Sequence, residues 1–303
     1  MNVLIAGGTG TIGVPLARAL VAGGHQVTAL SRSTARHSEL RAVGASLAVA
    51  DALDRDALAT AVAGARPTHV VHQLTSLPKD GPRSVRDLEA TNRLRVEGTR
   101  NLLDAAIAAG ARRFVAGSFA VLGERSPSAA SRPADAAAAA VCSMDTQVLD
   151  AASRGSIDGV VLRYGLLYGP EVPSTTAMID LVRRRRLPIV RGDTGQLPFI
   201  HLDDAVSATV LALDHGLTGN TYDIVDDRSV SITEVVEAIA EYTGAMRPRS
   251  VPAWVPRLFS PYMAQMISVQ LILSNTKAKA ELAWQPMYPT VRDGLARMLR
   301  KAA

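Results

Sequence analysis

The chain opens Met1-Asn2-Val3-Leu4-Ile5-Ala6-Gly7-Gly8-Thr9-Gly10-Thr11-Ile12-Gly13, and the reading of this stretch decides the fold. Asn2–Ala6 is a short apolar run and predicts a strand. Gly8, Gly10 and Gly13 fit G-x-G-x-x-G, Gly7, Gly10 and Gly13 fit G-x-x-G-x-x-G, and a helix is predicted over Ile12–Ala22. A strand that turns through glycines into a helix lets backbone N–H groups approach a pyrophosphate and aims the positive end of the helix dipole at it. Gly7, Gly10, Thr11, Ile12 and Gly13 are therefore the candidate phosphate-binding residues of a dinucleotide site.

Further along, the second strand (Gln26–Leu30) ends in Leu30-Ser31-Arg32-Ser33. The dinucleotide fingerprint places a carboxylate about 20 residues after the glycines, to hold the adenosine 2′-hydroxyl. Arg32 stands there instead, next to Ser31. A guanidinium attracts a 2′-phosphate and stacks on adenine, which favours NADP(H) over NAD(H) as cofactor; the plain alternative is an Arg32 that points to solvent. Asp51, after the third strand, either accepts from the adenine amino group or caps the helix that begins near Asp54.

The pattern then alternates: strands at Ser46–Ala50, His69–His72, Arg113–Gly117 and Gly159–Arg163, and helices at Ser38–Val43, Asp54–Val62, Val85–Ala109 and Ser143–Ser153. This rhythm predicts an α/β fold, a doubly wound parallel sheet of Rossmann type with a smaller, mixed C-terminal domain. Beyond residue 165 prolines punctuate the chain, with helices expected near 177–186, 203–214, 232–242 and 288–300 and a strand at Thr221–Ile224. Residues 1–165 and 198–226 are assigned to the dinucleotide domain, 166–197 and 227–303 to the substrate domain. The apolar run 262–273 reads as a buried helix, and the alanine-rich 129–140 as a flexible surface segment.

Composition narrows the function. Of 303 residues 48% are hydrophobic, enough for a large aliphatic core. The net charge of +5 owes much to the run Arg183–Arg186, read as a solvated helix end. Without a basic reading face or stacking aromatics, nucleic acid is not the expected partner. Cys142 is the single cysteine, which excludes an internal disulfide and a Cys-rich metal site, and no His/Asp/Glu spacing suggests a metal. No stretch reaches the roughly 20 apolar residues that span a bilayer, and no targeting segment is read, so a cytoplasmic protein is expected.

Several longer stretches resemble the extended branch of the short-chain dehydrogenase/reductase superfamily, the sugar-nucleotide epimerase/dehydratase type. They are GGTGTIG at 7–13, Asn92-x5-Gly98-Thr99-x-Asn101-Leu102-Leu103, Val161-Leu162-Arg163-Tyr164-Gly165 through Gly169-Pro170, Phe199-Ile200-His201-Leu202-Asp203-Asp204-Ala205, and Leu282-Ala283-Trp284-x-Pro286. The resemblance implies a Tyr-x-x-x-Lys pair and a serine. Tyrosine is the acid or base, lysine lowers its pKa, and serine steadies the substrate oxygen. Ser118 occupies the serine position. The pair is absent: no tyrosine precedes Tyr164, and no lysine lies between Lys79 and Lys277. Roughly Ala137 and Val141 stand where tyrosine and lysine belong.

A positioned acid is worth about 10²–10⁴-fold to carbonyl reduction, so a substitute is sought. Tyr164, at the crevice end of its strand, is the first choice, against a tyrosine that only packs the domain seam. His72, ending the fourth strand, is the second, against a structural histidine. His201 with Asp203 and Asp204 reads as a turn capped by Asp203 rather than part of a Ser118 triad. The expected function is an NADP(H)-dependent enzyme acting on a small apolar metabolite by carbonyl or enone reduction or by epimerase/dehydratase-like chemistry. The alternatives are a non-redox isomerase or cyclase holding its cofactor structurally, and a nucleotide-sensing regulator. The pocket is expected from loops 75–86, 120–138, 164–174 and 246–261, and the resemblance leaves open a homodimer through the fourth-helix region.

Overall fold

The computed structural model describes residues 1–78, 82, 84–123, 133–192, 195–252, 254–255 and 269–300. Its centre is a seven-stranded, all-parallel sheet. In chain order the strands are β1 (Asn2–Ala6), β2 (Gln26–Ser31), β3 (Ser46–Val49), β4 (His69–His72), β5 (Arg113–Phe119), β6 (Asp158–Tyr164) and, after shorter strands, β10 (Asn220–Ile224). Their spatial order is β10-β6-β5-β4-β1-β2-β3. Both faces are covered, so β1 at the centre is buried and apolar from Val3 to Ala6, while β3 at the edge is partly exposed. Within β1, Val3 and Ile5 enter one core with α1 (Gly13–Ala22) and α9 (Leu202–His215). Leu4 and Ala6 enter the other, with α3 (Arg55–Ala65), α5 (Thr99–Ala108) and α7 (Pro133–Ser153). That alternation is the period of two that a strand imposes.

β1 pairs with β2 on one side and with β4 on the other, so strand order reverses there. A crevice opens above the C-terminal strand ends at such a reversal, and ligands bind in it. The glycine turn leaves β1 at this point and His72-Gln73 leave β4 beside it.

The helix expected over 85–109 is built in pieces: a 3-10 turn (Val85–Leu88), α4 (Glu89–Arg93), a π turn (Leu94–Gly98) and α5. The π turn aims Arg95 inward, where it is 7% exposed.

A third apolar cluster lies off the main sheet. It joins α8 (Pro173–Arg183), α10 (Ile232–Thr243) and α12 (Val291–Arg300) beside two small sheets, β7 (Leu166–Tyr168) with β9 (Phe199–His201) and β8 (Ile189–Val190) with β11 (Ser250–Val251). A short helix, α11 (Thr276–Glu281), packs near β10.

Three expectations need correction. Residues 269–273 are not helical: Gln270 bridges Gln196 in extended chain, while 262–268 lie outside the described residues. The alanine-rich segment is not a loose surface loop from residue 133 on. It winds into α7, with Ala137, Ala138 and Ala140 buried, because alanine is the best helix former and its small side chain packs closely; residues 129–132 lie outside the described ones. The cap of α9 is His201, whose Nδ1 accepts from Asp203 N at 3.2 Å, and not Asp203. The arginine run does end a helix in solvent: Arg183 closes α8 and Arg184 pairs with Asp180.

Candidate functional site

The turn after β1 is tight enough that only glycine fits. Gly7 has φ +87°, and a Cβ there would lie 2.5 Å from the Gln73 carbonyl oxygen. A Cβ on Gly13 would lie 2.3 Å from the Gly7 carbonyl oxygen. Gly7 N and Gly8 N both donate to Leu30 O, and Gly10 N donates to Gly7 O at 2.9 Å, which closes the turn. Gly10 and Thr11 are exposed, whereas Ile12 and Gly13 are buried under the turn. The first turn of α1 has no side-chain cap and no acidic residue. Val14 N donates to Gly10 O at 3.3 Å and Pro15 has no N–H, so Gly13 N and the helix dipole are what the turn leaves for an anion, and the cradle that a Cβ would fill suits a pyrophosphate.

On the β2–β3 side, Arg32 is exposed and makes no hydrogen bond among the described residues. Ser31 Oγ lies 3.4 Å from Thr9 Oγ1. Arg36, which the sequence reading passed over, donates to the Thr9 carbonyl at 2.5 Å and to both Glu39 carboxylate oxygens, tying α2 (His37–Ala42) to the turn. Asp51 is not the cap of α3. Asp54 caps that helix through Ala57 N, while Asp51 Oδ1 accepts from Leu53 N at 2.9 Å.

The β4–β6 side is made of side chains. His72 is fully buried: Nδ1 accepts from Leu74 N at 3.2 Å and Nε2 lies 2.8 Å from Thr99 Oγ1. Since Nδ1 accepts, Nε2 carries the proton. Burial, then the charge of Arg95, push this imidazole down to about 4, so it is neutral at pH 7. Tyr164 is 4% exposed, and its hydroxyl is bracketed by Gln73 Nε2 at 2.9 Å and Thr209 Oγ1 at 2.7 Å. Burial pushes the phenol up to about 12.

Ser118 is buried near the end of β5, and its Oγ makes no hydrogen bond of good geometry. It faces Asp145, whose Oδ1 is likewise unsatisfied and whose Oδ2 accepts from Arg163 Nε at 3.0 Å. Burial pushes the Asp145 carboxyl up, with the Ser118 hydroxyl and the Arg163 guanidinium pulling the other way. Sequence reading missed Asp145 and Gln73. Gln73 could have been noticed as the residue directly after the strand that ends at the switch point, whereas Asp145 stands among Ser143, Thr146 and Gln147 with no local signal to mark it.

At the places of the missing pair, Ala137 is 1% exposed and Val141 fully buried, packed with Leu88, Leu122 and Ala138. Loops 75–86, 120–138 and 246–261 lie in part outside the described residues. A hollow of about 380 Å³ between α5 and α7, bordered by Arg100, Asp104, Asp150 and Arg154, is on the outer helical face and not in the crevice.

A second buried group joins the main sheet to the third cluster. Asp204 accepts from Met287 N and Tyr288 N. Asp226 is 3% exposed, and burial pushes its carboxyl up to about 8.

Residues 3–225 match the model of the NAD dependent epimerase/dehydratase family. A 3-diazoavenalumate denitrifying reductase from Streptomyces sp is 41% identical over 98% of this chain and 100% of its own length. A 2-alkyl-3-oxoalkanoate reductase from Stenotrophomonas maltophilia is 27% identical over 82% of this chain and 77% of its own. Among solved structures, the UDP-glucose 4-epimerase of Thermus thermophilus in complex with NAD superposes with a TM-score of 0.77 at 25% identity, covering 98% of this chain and 97% of that one. No described helix is long and apolar enough to cross a membrane. The chain belongs to the NAD-dependent epimerase/dehydratase family and is an NAD(P)-dependent enzyme of the oxidoreductase–epimerase kind, acting on a small molecule.

Proposed function

We propose that the protein is an NADPH-dependent denitrifying reductase that replaces the diazonium group of an aromatic metabolite with hydrogen. The observation that carries this reading is the loss of the acid–base pair to two buried apolar residues, Ala137 and Val141. Reduction of a carbonyl needs a proton as well as a hydride. A diazonium does not: the carbon accepts a hydride, a C–H bond forms, and the C–N bonding pair leaves with N2. An aryl diazonium persists in water long enough to be a substrate, which an alkyl diazonium does not. The full-length relative whose name is that of a denitrifying reductase of a diazo compound supports the same chemistry.

Electrophile and site agree on a second count. Phenolates couple to diazonium ions and amines form triazenes with them, so a tyrosine and a lysine against the substrate would be captured. Apolar side chains at 137 and 141 are inert. Tyr164 is held as a buried phenol and His72 has both nitrogens engaged. In this reading Tyr164 and His72 position their neighbours and carry no proton to substrate.

The bound nicotinamide supplies the hydride. Gly7, Gly10, Thr11, Ile12 and Gly13 hold the pyrophosphate, and Arg32 with Ser31 takes the 2′-phosphate, which favours NADP(H) over NAD(H). Asp51 lies at the adenine end. Ser118, at the end of β5, lines the reacting end. Residues 166–197 and 227–303 form the substrate domain over it.

The test is anaerobic incubation with NADPH and a panel of aryl diazonium acids beside ketones and enones. Release of N2 with matching NADPH oxidation, for the diazonium acids alone, is expected. Turnover of ketones with inert diazonium acids would overturn the reading.

One observation favours a second reading. Ser118 Oγ and Asp145 Oδ1 are buried without good partners, and together they form a proton relay for carbonyl reduction. Ser118→Ala separates the two. Less than about threefold loss of turnover fits hydride-only chemistry, whereas 10²-fold or more fits a relay.

A further inference from the structure

We infer that Gln73 is a cofactor-contacting residue whose carbonyl oxygen is fixed toward the nicotinamide end of the crevice, where it favours the oxidised, positively charged ring over the reduced one. This rests on NAD(P) occupying the crevice and not on the identity of the electrophile.

The argument begins at the far end of a hydrogen-bond chain. Thr209 Oγ1 donates to the Ala205 carbonyl at 2.6 Å. A hydroxyl has one proton, so toward Tyr164, 2.7 Å away, Thr209 can only accept. Tyr164 therefore gives its proton to Thr209 and can only accept from Gln73, 2.9 Å away. The Gln73 amide must present Nε2 to the phenol. The flipped amide would set an oxygen against an oxygen with no proton between them.

With Nε2 committed, Oε1 is aimed the other way. The side chain lies flat on Gly117 of β5, where a Cβ would stand 2.3 Å from Oε1 and 2.8 Å from Nε2. Its backbone carbonyl presses on Gly7, and its N–H donates to Ala6 O at 2.7 Å. Gln73 thus touches the ends of β1, β4, β5 and β6 at once. It is half-buried, and no described residue donates to Oε1.

The side of the crevice follows from the fold. Arg32 and Asp51 follow the ends of β2 and β3, and on the proposed reading the adenosine half lies on that flank. The nicotinamide half falls over β4 to β6, the strands that Gln73 joins. Hydride departure turns a neutral dihydropyridine into a pyridinium cation. A carbonyl dipole held in place before the reaction stabilises charge that develops there, and costs no reorganisation when it does. Tyr164 and Thr209 are positioning residues, acting through the amide they orient.

The experiment is calorimetric titration of the full chain with NADP+ and with NADPH, for wild type, Gln73→Leu and Tyr164→Phe. Gln73→Leu should weaken NADP+ about tenfold more than NADPH, a difference of about 1.4 kcal/mol. Tyr164→Phe removes the acceptor that fixes the amide without touching the cofactor, and should shift the same ratio in the same direction by less. Equal weakening of both forms, or an unchanged ratio, would overturn the inference. Should Gln73→Leu fail to fold, Gln73→Glu serves: it keeps the shape and should raise the preference for NADP+, and an unchanged ratio there overturns the inference too. Absence of binding by wild type to either form would overturn the inference as well, by removing the cofactor it needs, and is distinguished from the other outcomes by appearing before any substitution is made.

Discussion

On the β1–β3 side of the switch point the crevice is made of backbone, and on the β4–β6 side it is made of side chains. The first is a turn in which Gly7, Gly8 and Gly13 touch main-chain or Cβ atoms within 2.5 Å of where a Cβ would be. The second is a set of polar side chains, Gln73 hydrogen-bonded to Tyr164 and Tyr164 to Thr209, with Ser118 facing Asp145 and Asp145 paired with Arg163. Backbone shape binds a pyrophosphate whatever the reaction. Side chains choose the reaction and can be exchanged without disturbing the shape. Under the proposed reading the chain keeps the first half and departs from the family only in the second, where no tyrosine precedes Tyr164 and no lysine lies between Lys79 and Lys277.

The sharpest way to break this division is at its most constrained atom. Gly13→Ala puts a methyl against the Gly7 carbonyl and should weaken NADPH roughly 100-fold, about 2.7 kcal/mol, by calorimetry. Retained affinity would mean that the turn is not the phosphate cradle. Next in size is the attempt to rebuild the other half. The double substitution Ala137→Tyr with Val141→Lys adds bulk inside the cluster of Leu88, Leu122 and Ala138. It should cost about 1–3 kcal/mol in denaturant unfolding and gain no turnover. New ketone reductase activity would show that the half awaited only its acid.

Arg32→Asp sharpens the comparison within the adenosine half. It should weaken NADPH at least about tenfold, or 1.4 kcal/mol, and leave NADH nearly unchanged. Equal effects would remove Arg32 as the reader of the 2′-phosphate.

The smallest effect concerns the seam to the third cluster. Asp226 holds its proton in the folded chain up to about pH 8, whereas an unfolded carboxyl loses it near pH 4. Between these values the native state binds one more proton than the unfolded state, so stability falls as pH rises. Asp226→Asn should flatten the decline in Tm between pH 6 and 8.5. Parallel profiles would place the pH dependence elsewhere.

How much of this was legible in the sequence follows the same division. The strands of the first 165 residues read cleanly because their apolar runs are strong and glycines punctuate them, as between Ala6 and Gly13. The absence of the Tyr-x-x-x-Lys pair was equally plain. The fate of individual polar side chains was not. Tyr164 and His72 sit at the ends of crevice strands, and from the sequence alone each could face either ligand or core. Their partners, Thr209 and Gln73 for one and Thr99 for the other, are 27 to 91 residues away, and no local pattern reports such pairings. Alanines 137, 138 and 140 misled for the opposite reason: a low-complexity run resembles a linker until a neighbouring layer buries it.

The central claim is that hydride alone completes the reaction, and an isotope experiment tests it most directly. The protein would be given NADPH carrying deuterium at the transferable position, with an aryl diazonium acid as substrate. Deuterium at the carbon that held nitrogen, one N2 per cofactor oxidised, and no solvent deuterium in the product when the labels are reversed, are the results this account predicts. Incorporation from solvent at that carbon, or oxidation of NADPH without release of N2, would contradict it.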